Sequence, residues 1–127
     1  MLKKVLMAAS MAVTMLAFDA GTAFAQQSWV AVSTYGNRYF VGRGWSEESA
    51  RDEALGACAR GVGRTCSRRL SASVPSDGRS NWFLVVARCP NGMAPGGSQI
   101  SFANALHMAA QRRGYQSWAC SMVDWGN

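Results

Sequence analysis

Alternating apolar and polar positions predict a hairpin after residue 28. Residues 28–34 and 39–45 are short runs rich in β-branched and aromatic side chains, and Tyr35-Gly36-Asn37-Arg38 joins them. Because Gly and Asn accept a positive φ, this connection is typical of a tight turn between two strands.

A helical period replaces the strand pattern at Ser46, whose side-chain oxygen can cap a helix. Glu47 and Glu48 follow at the end of the helix where its dipole favours negative charge. Small apolar residues then recur at helical spacing, at Ala50, Ala54, Ala57 and Cys58. We expect the helix to end near Gly61 and Gly63 and its small side chains to let its backbone lie close to a sheet.

The remaining pattern predicts three strands and one more helix. Residues 65–74 alternate as in a strand with one solvated face, and residues 81–89 are apolar on both faces, as in a central strand. A turn signal at residues 75–78 separates them. Residues 90–97 are rich in Pro and Gly, which predicts a long loop. A helix over residues 98–113, ended by Gly114, and a strand over residues 117–125 complete the chain.

These elements predict an α+β fold in the order β-β-α-β-β-α-β, with an antiparallel sheet of about five strands and both helices on one face. Similar features recur 51 to 54 residues apart, in the pairs Trp29 and Trp82, Ala54 and Ala105, Gly63 and Gly114, and Cys66 and Cys120. The spacing indicates an internal duplication of a β-α-β unit. Coincidence is the alternative, because Ala, Gly and aromatic residues match often by chance.

The first 25 residues have the features of a secretory signal peptide. Lys3 and Lys4 precede an apolar run over residues 5–18, and Ala23-Phe24-Ala25 is a small-x-small cleavage site. A membrane anchor is the rival interpretation, but Asp19 ends the run before the roughly 20 residues that a span needs. We expect cleavage after Ala25 and a single domain over residues 26–127, in a bacterial periplasm or outside the cell, with no stable membrane insertion.

Export would place the four cysteines where disulfides form. Three pairings are open. Cys58–Cys66 is the easiest to close, across a Gly-rich turn, and it leaves Cys89–Cys120 between the ends of two strands expected to be neighbours. A zinc site is the competing interpretation. It is disfavoured because the chain has no C-x-x-C motif and only one histidine, so we assign no metal and no cofactor.

The positive charge after cleavage would come from arginine alone. The chain has 13 basic and 7 acidic residues, of which Lys3, Lys4 and Asp19 lie in the leader, so 11 arginines and 6 acidic residues remain. A guanidinium binds carboxylate, phosphate or sulfate with two parallel hydrogen bonds, which suits anionic envelope polymers. The alternative is a codon bias that replaces Lys by Arg everywhere. Export disfavours nucleic acid as the partner.

Six arginines form the candidate anion- or partner-binding site: Arg60, Arg64, Arg68, Arg69, Arg112 and Arg113. The first four lie around the Cys58–Cys66 turn and the last two end the second predicted helix, so both groups would form one basic rim if the two helix-to-strand corners share an edge. Nearby aromatic residues (Trp45, Tyr115, Trp118 and Trp125) could stack on sugars. The alternative is that the arginines complement the helix dipoles and that the tryptophans fill the core. We favour this alternative for most of the tryptophans and leave the arginines open.

Enzymatic groups are few. His107 lies on the polar side of the second helix, and Glu47, Glu48, Asp52 and Glu53 are better explained as helix-stabilising charges. Gly96-Gly97-Ser98 resembles an anion nest ahead of a helix, but it lacks a phosphate-loop lysine. We assign no catalytic residue.

Several short motifs resemble a family of small exported bacterial domains of unknown function. They are the aromatic-led hairpin, Ala54-Leu55-x-x-Cys58, the Gly-rich turn to Cys66, and Cys89-Pro-Asn-Gly. The likeness covers residues 29–93 and implies the fold and the two bridges, but no catalytic residue.

Three functions remain open from the sequence, of which the third is a structural one, a stress-induced stabilising protein with no discrete site. The first is an exported non-enzymatic module that binds an anionic envelope component or a protein partner, including an inhibitor-like role. The alternative is a small cell-wall or polysaccharide hydrolase that uses Glu47 or Asp52 as acid or base. The sequence does not determine the oligomeric state.

Overall fold

The computed structural model describes residues 29–76 and 81–126, which form six strands, two helices and two single 3-10 turns. In chain order the strands and helices are β1 (Trp29–Tyr35), β2 (Arg38–Gly44), α1 (Glu47–Val62), β3 (Ser71–Pro75), β4 (Phe83–Cys89), β5 (Gly92–Ser98), α2 (Phe102–Arg112) and β6 (Ser121–Gly126). The 3-10 turns, Arg68–Leu70 and Ser117–Ala119, precede β3 and β6. The predicted signal peptide, and Asp77 and Gly78 of the predicted turn, lie outside the described residues.

The strands form two antiparallel sheets of three strands each, so the α+β class is confirmed, but the single sheet of about five strands with both helices on one face is wrong. Sheet A has the order β2-β1-β3 and sheet B the order β5-β4-β6. Helix α1 packs against sheet A and α2 against sheet B. The sheets face each other, which makes four layers with one helix on each outer side.

Alternating side chains on the two central strands separate these layers. Val30 and Val32 of β1 meet Leu84 and Val86 of β4 between the sheets. The residues between them face the helices instead, and Ala31 packs against α1. Strand β4 is therefore apolar on both faces because it lies between sheet A and α2.

The predicted loop over residues 90–97 is wrong, because β5 occupies most of it. Each residue from Gly92 to Ser98 pairs with β4, so the order is β-β-α-β-β-β-α-β. A Cβ on Gly96 would lie 2.6 Å from Ala109 N. Gly96, which contributed to the loop prediction, thus lets α2 approach the sheet. The candidate anion nest at Gly96-Gly97-Ser98 is part of this strand ladder and is also wrong.

The two halves of the chain share one arrangement of strands around one helix. In the first half, a Cβ on Gly42 would lie 2.6 Å from Ala50 O, matching Gly96 in the second. Ser46 and Ser101 cap the two helices through their side chains. Since Ala50 and Ala105 each donate a backbone bond to the capping serine, they are counterparts. Matching Ala54 with Ala105 is therefore one helical turn out of register.

The ends of several predicted elements shift while the elements themselves are confirmed. Gly36, with φ of 58°, makes the β1–β2 turn, and Gly63, with φ of 74°, ends α1. Strands β3 and β6 begin later than predicted because 3-10 turns precede them. Ser67 accepts a hydrogen bond from Arg69 N at 3.2 Å and so caps the first of these turns.

Both preferred disulfides are confirmed. Cys58–Cys66 joins the last part of α1 to the segment before β3, with the Cα atoms 6.2 Å apart. Cys89–Cys120 joins the end of β4 to the residue before β6, with the Cα atoms 4.3 Å apart. Each bridge therefore fastens a helix-to-strand connection of one half.

Candidate functional site

The structure brings three of the six candidate arginines together across the two halves of the molecule. Arg69 lies in the 3-10 turn after α1, whereas Arg112 and Arg113 lie at the end of α2. Arg112 Nη1 donates a 2.7 Å hydrogen bond to the backbone oxygen of Arg69. We call Arg69, Arg112 and Arg113 the arginine cluster.

The charges of the arginine cluster lie close enough to affect one another. Burial lowers the pKa of Arg112, and the positive charges of Arg51 and Arg69 lower it further. Burial and the charge of Arg69 likewise lower the pKa of Arg113. Within the described residues, no carboxylate forms an ion pair with any member of the cluster. The cluster is therefore a local concentration of positive charge without a matching anion in residues 29–76 and 81–126.

The β4–β5 turn positions Arg113. Its Nε donates to Met93 O at 2.9 Å, and Asn91 Nδ2 donates to Arg113 O at 3.4 Å. Gly92 has φ of 133°, and a Cβ there would lie 2.8 Å from Arg113 Nη2. The turn thus needs a glycine at residue 92 for its backbone conformation, and the end of the Arg113 side chain lies beside it.

Arg68 has a different environment from its neighbour Arg69. Its Nη2 lies 2.7 Å from Glu48 Oε2, and its Nη1 lies 2.9 Å from Asp52 Oδ1. Hydrogen bonds to Asp52 and then to Glu48 raise the pKa of Arg68. Two carboxylates of α1 therefore neutralise Arg68, and it does not add to the free charge of the cluster.

Arg60 and Arg64 lie beyond the cluster, around the end of α1. Arg64 Nη1 donates to the hydroxyl of Tyr35 at 3.4 Å. Arg60 extends back over Gly56, so that a Cβ on that glycine would lie 3.3 Å from Arg60 Nη1. In the described part of the chain, no hydrogen bond joins either arginine to the cluster.

Arg51 is a charged neighbour of the cluster that the sequence interpretation missed. It is paired with Glu47 at 3.3 Å and with Glu48 at 3.6 Å, yet its charge affects Arg112 in the other half of the molecule. No local pattern could have indicated this proximity, because it depends on how the two halves pack.

The expectation that most tryptophans fill the core is wrong. Trp118 is 85% exposed, Trp45 is 55% exposed and Trp125 is 36% exposed. Trp118 lies in the 3-10 turn that leads from α2 and Arg113 to β6, and this turn packs against α2. An exposed indole thus lies in the connection that follows the arginine cluster.

The candidate acid and base are surface groups. Asp52 is 63% exposed and engaged by Arg68, and Glu47 is half exposed and engaged by Arg51. A general acid is typically shielded from water instead. Across residues 29–76 and 81–126, no three His, Cys, Asp or Glu side chains are grouped to hold a metal ion.

Neither the helices nor comparisons with known proteins identify a ligand for the site, so its function is interpreted from its own residues. In the two described ranges, neither helix has the length and apolarity required to cross a membrane. No protein-family model, curated protein or solved structure matches the chain.

Proposed function

We propose that this protein is an exported, non-enzymatic module that binds an anionic envelope polymer, or an anionic patch of a protein partner, at the arginine cluster. The observation that carries the proposal is the meeting of Arg69, Arg112 and Arg113 without a carboxylate partner among the described residues. Bringing like charges together costs free energy, which an anionic ligand would offset.

The chemistry of the cluster favours a polymer with carboxylate, sulfate or phosphate groups. Each guanidinium offers a planar fork of donors, and only part of that fork is used by backbone oxygens in Arg112 and Arg113. The remaining donors can take an oxyanion in bidentate geometry. Trp118 adds an exposed flat surface on which a sugar ring can stack.

Export is part of the proposal. Two disulfides in a small domain are typical of an oxidising compartment. The leader motif and the resemblance to exported domains over residues 29–93 support the same location. The ligand would then be a component of the envelope or of the medium.

Adjacent arginines provide a matched experiment. Arg69→Gln and Arg68→Gln each remove one positive charge, but only Arg69 belongs to the arginine cluster. Immobilised heparin serves as the polyanion, and the salt concentration at elution is measured. We expect Arg69→Gln to elute at clearly lower salt than wild type, and Arg68→Gln to shift less. Equal shifts for the two variants, or no retention of the wild type, would overturn the proposal.

A further inference from the structure

The turn between β4 and β5 contains the one Asn-Gly pair of the sequence, Asn91-Gly92. Pro90 and Asn91 form the turn itself, and Cys89 pairs with Gly92 as the last pair of the ladder. Asn91 is exposed to solvent. Because Gly92 has no Cβ, its backbone nitrogen can approach the side-chain carbonyl carbon of Asn91 with little steric hindrance.

The side-chain amide of Asn91 is held loosely. Its Nδ2 donates to Arg113 O over 3.4 Å, which is longer than the distance of about 2.9–3.0 Å that N–H···O bonds prefer. By contrast, Oδ1 of Asn104 accepts a 2.7 Å hydrogen bond from Ser98 in a partly buried site. The structure therefore fixes the amide of Asn104 more firmly than that of Asn91.

Residue 91 adjoins the arginine cluster through Arg113. Nδ2 of Asn91 lies against Arg113 O, Arg113 Nε donates to Met93 O at 2.9 Å, and a Cβ on Gly92 would lie 2.8 Å from Arg113 Nη2. An oxygen in place of Nδ2 would repel Arg113 O, because both atoms are acceptors, whereas the guanidinium of the same residue offers donors. A carboxylate at residue 91 would therefore pair with Arg113.

We propose that Asn91 is a site of deamidation, and that the carboxylate formed there closes the arginine cluster to its ligand. The backbone nitrogen of Gly92 attacks Cγ of Asn91, the new C–N bond closes a succinimide ring, and the side-chain nitrogen leaves with the displaced proton as ammonia. Water then opens the ring at either of its carbonyl carbons. The product is an aspartate or an isoaspartate, so the net change consumes water, releases ammonia and replaces a neutral amide by a carboxylate.

The attack requires the last pair of the ladder, between Cys89 and Gly92, to open. This pair lies at the tip of a hairpin, where local opening costs less free energy than in the middle of a sheet. The reaction therefore needs no unfolding of the domain.

The effect on binding rests on the proposed function of the arginine cluster, whereas the reaction itself does not. A carboxylate tethered beside Arg113 competes with any free anion at a high effective concentration. It also reduces the net positive charge that attracts a polyanion. Deamidation would thus weaken binding of the anionic ligand progressively as the protein ages.

Peptide mapping by mass spectrometry tests the reaction, on protein purified from cells that express the full chain and then incubated at mildly alkaline pH. Asn81 is the internal control, because it is also exposed but precedes Trp82 near the other end of β4. We expect residue 91 to become a mixture of aspartate and isoaspartate while Asn81 keeps its amide. An Asn91 that keeps its amide, or that reacts no faster than Asn81, would overturn the proposal.

Two variants test the effect on binding. Asn91→Asp supplies the carboxylate at the cluster, and Asn81→Asp supplies the same charge at the far end of β4. On immobilised heparin, Asn91→Asp should elute at lower salt than wild type, by a clearly larger margin than Asn81→Asp. Equal shifts would overturn the closing of the cluster. If heparin does not retain the wild type, the closing of the cluster fails together with the proposed function, whereas the mass spectra decide the reaction at Asn91 independently.

Discussion

The hydroxyl of Tyr39 donates a 2.6 Å hydrogen bond to Oδ2 of Asp124 and thereby joins β2 of sheet A to β6 of sheet B. Asp124 is almost completely buried, and its second oxygen accepts from the backbone nitrogen of Trp125 at 2.9 Å. A buried carboxylate is costly unless hydrogen bonds satisfy it. Removing the hydroxyl oxygen of Tyr39 therefore tests how much this cross-sheet hydrogen bond contributes to stability.

Tyr39→Phe should destabilise the fold by about 1–3 kcal/mol, because it removes a donor from the buried Asp124 carboxylate. Urea unfolding measures the change. Tyr35→Phe is the matched control and should have little effect, since among the described residues the Tyr35 hydroxyl accepts a single 3.4 Å contact, from the exposed Arg64. Equal losses in the two variants would contradict the assigned role of the Tyr39 hydroxyl.

Stability should also decline in alkaline solution in a way that depends on Tyr39. Burial raises the pKa of Tyr39 above its ordinary value of 10.0, and the hydrogen bond and charge of Asp124 raise it further. The unfolded chain then loses this proton first, so the contribution is complete below pH 10 and is lost as the pH rises towards the folded-state pKa. The difference in unfolding free energy between wild type and Tyr39→Phe should shrink over that interval. A constant difference would contradict it.

Glycine-to-alanine substitutions should have opposite effects on stability, depending on whether the glycine lies where a helix approaches its sheet closely. Gly96→Ala should cost about 1–3 kcal/mol, because the new Cβ would meet the backbone of α2. Gly42→Ala should cost a similar amount against α1. Gly56→Ala, inside α1 and facing only the end of the Arg60 side chain, should instead stabilise by about 0.5–1 kcal/mol. Thermal unfolding of the three variants checks the signs, and a stabilising Gly96→Ala would refute the packing argument.

The two disulfides should contribute unequally. Cys58–Cys66 closes a separation of 8 residues and Cys89–Cys120 one of 31. The loss of loop-closure entropy gives about 2.5 kcal/mol for the first bridge and about 3.7 kcal/mol for the second. Cys58→Ala/Cys66→Ala and Cys89→Ala/Cys120→Ala, compared by urea unfolding, measure the difference. A larger loss from the shorter loop would show that the entropy of the unfolded chain does not control the order.

Local signals in the sequence predicted the local elements well. The Gly36-Asn37 turn, the Ser46 cap and the Gly63 end of α1 are each decided within a few residues, so their patterns indicate the observed structure. Strand β5 was missed because the strand propensity of Gly96 and Pro95 is poor, and the reason for the glycine is the helix that packs on it.

Long-range relations were not accessible from the pattern. The apolar residues on both faces of β4 fit a central strand of one sheet as well as a strand between a sheet and a helix. In the candidate site, Arg68 and Arg69 are neighbours with the same charge, yet Arg68 meets two carboxylates and Arg69 meets Arg112. The different environments of Arg68 and Arg69 follow from the packing of the two halves, which a local sequence pattern does not show.

The shared apolar layer between the sheets decides whether either half of the chain can fold alone. Each half has an apolar sheet surface, with Val30 and Val32 in the first half and Leu84 and Val86 in the second, and these surfaces pack against each other. A fragment of residues 29–76 or 81–126 made alone would expose that surface to water, so it would fold poorly and tend to aggregate. When mixed, the two fragments are expected to reassemble, because each would cover the apolar surface of the other. This small domain therefore resembles a dimer whose two subunits are joined in one chain.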